Sequence, residues 1–158
     1  MKVALGVDHR GFTIKDELVA ILEDAGHQVV DLGTHSETSV DYPDFGEAVA
    51  LAIGNGEAGS GVIICGTGIG IAVAANRYRH VRAAVCHDVT TARLARQHND
   101  ANVLALGARI IGEQVAKDCL LEFLATAYEG GRHDRRVAKL NRAVAADFYT
   151  KSVADVGV

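Results

Sequence analysis

Along the chain, short aliphatic runs alternate with longer segments in which apolar residues recur every third or fourth position. The runs are Val3–Val7, Gln28–Leu32, Val62–Cys65, Val81–Cys86 and Asn102–Leu106. They are continuous rather than alternating, the pattern of strands covered on both faces. Between them, Ile14, Leu18, Ile21, Leu22 and Ala25 form one stripe, and Phe45, Ala48, Val49, Ala52 and Ile53 form another. Such spacing gathers apolar residues on one face of a helix. Gly26 suits the C-cap of the first helix, and Pro43, after Asp41, suits the opening turn of the second. Further helices are predicted over Thr67–Tyr78, Asp88–His98, Gly112–Ala127 and Asp134–Thr150, the last with Val137, Leu140, Val144 and Phe148 along one side.

Strand and helix alternate throughout, which implies right-handed β-α-β crossovers and a parallel sheet. The expected fold is α/β: a single-domain three-layer sandwich, Rossmann-like, with a five-stranded parallel sheet and helices on both faces. It is expected to occupy residues 1–150, with a tail over 151–158 that frays. No internal repeat, low-complexity tract or linker breaks the pattern.

Composition narrows the picture. A chain of 158 residues, 49% hydrophobic and 23% charged, has material for one well-formed core and lacks the signature of disorder. The net charge of −4 comes without a long basic run, so a nucleic-acid partner is not expected. The stretch between Lys2 and Asp8 is too short for the apolar region of a signal peptide, and no run is long enough to span a membrane. Cys65, Cys86 and Cys119 are an odd number at wide spacing, which fits free thiols in a cytoplasm. Seventeen glycines stand against one proline, where average usage would give about 11 and 8. The chain needs permissive backbone somewhere.

In an open parallel sheet, ligands bind beyond the carboxyl ends of the strands. The residues predicted there are chemically loaded: Asp8-His9 after the first run, Asp31 after the second, Cys65 and Gly66-Thr67-Gly68-Ile69-Gly70 after the third, His87-Asp88 after the fourth, and Arg109 after the fifth. Each alone reads better as a cap or a solvated side chain, and their gathering on one rim is what points to a site. The strand–glycine turn–helix succession brings several N–H groups to one point, an anion or oxyanion site. It is not a P-loop, because the Gly-Lys-Ser/Thr ending is missing, and Ile71 stands where G-x-G-x-x-G requires glycine. Asp88 could still play the ribose-binding acid of a dinucleotide fold, which keeps a small redox enzyme open as an alternative. A non-catalytic phosphate or nucleotide sensor on the same sandwich is another.

Cys65 stands immediately before the glycine turn, where a helix N-terminus and N–H donors stabilise a thiolate and suit it to act as base or nucleophile. Cys86 within a strand and Cys119 on a stripe with Val115 and Phe123 read as packing residues. Arg132 and Arg136, four apart after Gly130-Gly131, would project from one helical face and could grip a phosphate, although on the bare pattern a solvated basic face shared with Arg135, Lys139 and Arg142 is the favoured reading. His98-Asn99-Asp100 lies at a predicted helix end, and Asp41-Tyr42-Pro43 at a helix entry.

Six segments carry a resemblance: Gly6-Val7-Asp8-His9-Arg10-Gly11-Phe12, Asp41-Tyr42-Pro43, Cys65-Gly66-Thr67-Gly68-Ile69-Gly70, Arg96 to Leu104, Gly107-Ala108-Arg109, and Tyr128 to His133. In this order they resemble the type B ribose-5-phosphate isomerases, related to the allose- and galactose-6-phosphate isomerases. The resemblance implies aldose–ketose isomerisation of a sugar phosphate through a cis-enediolate, without metal or cofactor. It implies Cys65 as the base moving a proton between C1 and C2; Ala72, with no nearby acid, sets the chain apart from members with a carboxylate base. It further implies His98 as the ring-opening acid or base, aided by Thr67, Asp8 and Tyr42. Asn99 and the N–H groups of Gly66, Thr67, Gly68, Ile69 and Gly70 would hold the enediolate oxygens, and His9, Arg109, Arg132 and Arg136 the phosphate. The implied assembly is a homodimer, or a tetramer built from it, in which the His98-Asn99 region reaches the partner's Cys65 turn. Ribose 5-phosphate is the expected substrate, with a hexose 6-phosphate as the alternative.

Overall fold

The structure is a computed structural model that describes residues 1–142. Val144, Phe148, the expected domain end at residue 150 and the expected tail lie outside the described residues.

The elements alternate as the periodicity predicts: β1 (Lys2–Val7), α1 (Phe12–Asp24), β2 (Gln28–Asp31), α2 (Tyr42–Gly54), β3 (Ser60–Cys65), α3 (Ile69–Ala75), β4 (Ala83–Val85), α4 (Val89–Asn99), β5 (Val103–Gly107), α5 (Glu113–Ala125), a 3-10 turn (Gly131–His133) and α6 (Asp134–Leu140). The five strands form one parallel sheet in the order β2-β1-β3-β5-β4. Gly26 takes a left-handed φ of 78° just past α1, and Pro43 falls in the first turn of α2, as the sequence anticipates.

Alternate residues of each strand face opposite layers. Val3, Leu5, Val7, Val62, Ile64, Leu104 and Leu106 meet α1, α4 and α5 through Leu18, Leu22, Ala92, Leu120 and Phe123. Ala4, Ile63, Cys65, Val103 and Ala105 meet α2 and α3 through Val49, Ala50, Ile71 and Ala75. Each fully buried Leu or Ile contributes about 1.5–3 kcal/mol of apolar burial. The α2/α3 layer packs closely. A Cβ on Gly6 would stand 2.6 Å from the Phe45 carbonyl oxygen, and one on Gly46 would stand 2.6 Å from that of Ile71. Part of the glycine excess therefore serves backbone approach rather than turns.

Three features depart most from expectation. Strands β1, β3 and β5 are buried along both faces, but β2 and β4 are edge strands and only partly covered. β4 is shorter than the Val81–Cys86 run because the Asn102 side chain takes the Arg82 N–H (2.8 Å) and the His80 carbonyl (2.8 Å) before it, while the Asn76 side chain bonds both the N–H (2.8 Å) and the carbonyl (2.9 Å) of Ala83 in place of a further strand. α3 starts at Ile69 rather than Thr67 because Gly68, at φ 76°, holds the turn open before it. No described helix is long and apolar enough to cross a membrane.

The strand order places a topological switch between β1 and β3. The connection after β1 runs to the α1 face and the one after β3 to the α3 face, so the two loops part and leave a crevice at the carboxyl rim. α4 returns from that rim to the opposite one: Arg82, which precedes β4, donates to the carbonyls of Asn99 (3.1 Å) and Asp100 (2.8 Å). The residues 97–100 therefore end at the amino rim.

Candidate active site

The crevice is an open cleft of about 390 Å³, lined by Asp8, His9 and Arg10 after β1, Tyr42 at the start of α2, and Cys65, Gly66, Thr67, Ile69 and Gly70. Cys65 is the last residue of β3 and is 4% exposed; the Gly68 N–H donates to its sulfur at 3.2 Å. That contact fixes the sulfur against the turn. The Ile69 N–H goes to the Thr67 hydroxyl at 3.3 Å. Two of the five turn amides are thus spent inside the turn. Those of Gly66, Thr67 and Gly70 take no acceptor among the described residues, which leaves them for an oxyanion.

The turn is held from outside. Ala108 and Arg109 donate their N–H groups to the carbonyls of Cys65 and Gly66, both at 2.9 Å, extending the β3–β5 ladder past the strands. A Cβ on Gly107 would stand 2.6 Å from the Thr67 carbonyl, and one on Gly70 would strike the Tyr42 ring at 2.5 Å. Glycine is required at 107 by backbone contact, whereas at 70 a larger residue would have to push the Tyr42 ring aside. The Arg109 chain passes over Gly66 from the same rim.

Asp8 is buried, and its Oδ1 accepts from the Arg10 (2.7 Å) and Gly11 (3.3 Å) amides, fixing the loop that presents His9. The Val40 N–H donates to His9 Nδ1 at 3.3 Å, which puts the proton of the neutral ring on Nε2 and makes that edge a donor. Asp31 serves the scaffold: it accepts from the buried Lys15 ammonium at 2.8 Å and from the Gly33 N–H at 2.9 Å. Asp88 is the N-cap of α4, bonded to the Thr91 N–H at 2.9 Å, and that bond lowers its pKa. Its occupation as a cap removes it as a reader of ribose. Cys86 and Cys119 are buried, and desolvation pushes both thiols up to about 11, as befits packing residues.

His98, Asn99, Arg132 and Arg136 lie elsewhere. His98 and Asn99 close α4 at the amino rim, and the Glu129 N–H bonds the Gln97 carbonyl at 3.1 Å, bringing the 128–136 segment beside them. Arg132 lies in the 3-10 turn and Arg136 in α6, both exposed. The helix end is held by Asp100, at a left-handed φ of 46°, whose carboxylate bonds Arg82 (2.8 Å) and Arg96 (3.1 Å). The strands span about 15–20 Å, so within one chain this group cannot meet Cys65.

Sequence reasoning gave no role to Arg10, Lys15, Glu129 or His133. Lys15 carried a signal, since it stands three before Leu18 and seven before Leu22 on the buried stripe. The His98, Glu129 and His133 ligand atoms lie within 4.8 Å of one another, a spacing that could hold a metal ion. Arg132 already occupies the His133 Nε2 lone pair, and its guanidinium opposes a cation there.

A sulfur at a strand end, backed by free amide donors at the switch point, is an arrangement suited to stabilising a developing oxyanion, and it makes the carboxyl rim the candidate catalytic centre of an α/β enzyme. The model of the ribose/galactose isomerase family matches residues 3–140. Ribose-5-phosphate isomerase B of Escherichia coli is 49% identical over 136 residues, covering 86% of this chain and 91% of that protein. The galactose-6-phosphate isomerase subunit LacB of Clostridium acetobutylicum is 39% identical over 88% of this chain and 80% of its own length. The solved ribose-5-phosphate isomerase B of Clostridium thermocellum superposes with a TM-score of 0.87 at 48% identity, covering 89% of this chain and 95% of that one. The chain belongs to the ribose/galactose isomerase family.

Proposed function

We propose that this protein interconverts ribose 5-phosphate and ribulose 5-phosphate by proton transfer through a cis-enediolate, within a homodimer of composite sites. The observation that carries it is the Cys65 sulfur, bonded by the Gly68 N–H and standing beside the free amides of Gly66, Thr67 and Gly70. The Cys65 thiolate takes the proton from C2 of the open-chain aldose and returns it to C1. The amides, with Asn99, hold the oxygens on which charge develops, and His98, with Thr67, Asp8 and Tyr42, opens the furanose ring. His9, Arg109, Arg132 and Arg136 bind the phosphate, and that binding energy positions the reacting carbons. No step requires a cofactor.

The separation of the two rims supports the dimer: His98, Asn99, Arg132 and Arg136 can complete the Cys65 cleft only from a second copy. Ile69 and Val73, 58% and 61% exposed on the helix that follows the turn, offer apolar surface beside it. The unpaired thiols fit the cytoplasm as its compartment.

The similarity to a galactose-6-phosphate isomerase subunit keeps hexose 6-phosphates as the second reading. Cys65→Ala protein should lose isomerisation of ribose 5-phosphate yet bind it in calorimetry, and wild-type protein should turn over ribose 5-phosphate faster than allose 6-phosphate. Wild-type turnover by the variant would remove Cys65 as the base, and the reverse substrate order would favour the hexose reading.

A further inference from the structure

His133 is 4% exposed and has no part in the chemistry described so far, yet it touches two residues that do. Gly130 and Gly131, at φ 64° and 59°, reverse the chain so that Arg132 faces outward while His133 turns in. The His133 ring stacks on that of His98 with centroids 4.4 Å apart and planes 9° from parallel. Its Nε2 accepts from the Arg132 Nε–H at 3.2 Å. Arginine has only donors, so this bond requires a lone pair on Nε2, and the ring's proton sits on Nδ1.

We propose that His133, in its neutral Nδ1–H form, is a positioning residue that joins the ring-opening and phosphate-binding groups: its face sets the plane of His98, and its Nε2 sets the guanidinium of Arg132. With Nε engaged, the two terminal nitrogens of Arg132 remain for phosphate oxygens. Protonating His133 would break both contacts, since the new N–H would face the Arg132 donor and the cation would stack on His98. The groups facing the ring are His98 from α4, Glu129 from the preceding segment (3.6 Å from Nε2), Arg132 from its own turn and Arg136 from α6. Burial, with His98 and Arg132 next, holds the His133 pKa below its ordinary value, which keeps the ring neutral.

The inference rests on the proposed roles of His98 and Arg132, and its test separates the two. His133→Phe keeps a flat ring against His98 but offers Arg132 no acceptor, whereas His133→Gln keeps an acceptor but no ring. The Phe variant should raise KM for ribose 5-phosphate about 10-fold with kcat changed less than about 3-fold, and the Gln variant should lower kcat about 10-fold with KM changed less than about 3-fold. Parallel changes in both variants, or wild-type constants in both, would overturn the proposal. His98→Asn and Arg132→Ala proteins are assayed alongside. Wild-type turnover in both would sink the site reading itself, while their loss combined with unsplit His133 variants would sink only the positioning role. Should either His133 variant fail to fold, long-range proton–nitrogen spectra of the wild-type protein at pH 7 decide: an Nδ1–H tautomer supports the proposal and an Nε2–H tautomer overturns it.

Discussion

The two rims of the sheet are built from different material. At the carboxyl rim, between β1 and β3, backbone does most of the work: strand ends fix Cys65 and Asp8, the Gly68 amide bonds the sulfur, and Gly107 and Gly70 let neighbouring chain press against the turn. At the amino rim the groups are side chains, His98, Arg132 and Arg136, held by other side chains such as Asp100 and His133. The contrast matches the two tasks proposed for the rims, with His9 and Arg109 reaching the phosphate from the carboxyl side. Stabilising an enediolate demands donors fixed to a fraction of an ångström, which strand-anchored amides provide. Gripping a phosphate tolerates longer, softer arms whose charge does the binding.

The sharpest way to break this comparison is to place the two rims on different chains. Cys65→Ala and Arg132→Ala proteins should each be inactive, because every site lacks one half. Mixed, denatured and refolded together, they form heterodimers in which one of the two composite sites is intact, so about a quarter of wild-type activity should return. No recovery in a mixture shown to contain heterodimers would mean that the rims do not meet across subunits. The next largest effect belongs to the backbone of the carboxyl rim. Gly107→Ala adds a methyl 2.6 Å from the Thr67 carbonyl, with backbone on both sides and no flexible side chain to yield. A turn displaced by an ångström should cost about 100-fold in kcat, with phosphate affinity, read by inorganic phosphate competition, falling far less, because Arg132 and Arg136 at the other rim are untouched. A fall in affinity as large as the fall in kcat would deny the division of labour.

The same contrast explains what could be read without coordinates. The five runs and the glycine turn mark the carboxyl rim because strand ends converge by topology alone, so Asp8, Cys65 and Arg109 fall together from their positions in the chain. Edge status cannot be read from a run such as Val81–Cys86, since an apolar stretch looks alike whether one face or two are covered; Asn76 decided it from seven residues away. The amino rim was legible only through resemblance. Arg132 and Arg136 share their segment with other cations, and nothing in that spacing shows that a buried His133 lies between Arg132 and His98. Likewise Asp88 has the position of a cofactor-binding acid, and only its bond to the Thr91 N–H shows that it caps a helix.

The smallest expected effect is also the one that compares the rims in a single titration. His133 has a native pKa below the ordinary imidazole value of 6.5, caused first by burial and then by His98 and Arg132. Below 6.5 the unfolded chain therefore binds the proton more readily than the native one, so this group's stabilisation is complete above 6.5 and is lost as pH falls through the native value. Asp88, at the carboxyl rim, is held below its ordinary 3.8 chiefly by the Thr91 N–H, so its contribution persists above 3.8 and fades only in stronger acid. Between pH 6.5 and 4, amide exchange measured relative to its intrinsic rate at each pH should quicken at residues 97–99 and 129–136 before it quickens around the N-terminus of α4, and His133→Phe should flatten the first response while leaving the second. Equal acceleration at both rims, or an unchanged response in the variant, would show that the amino rim is not held by a neutral His133.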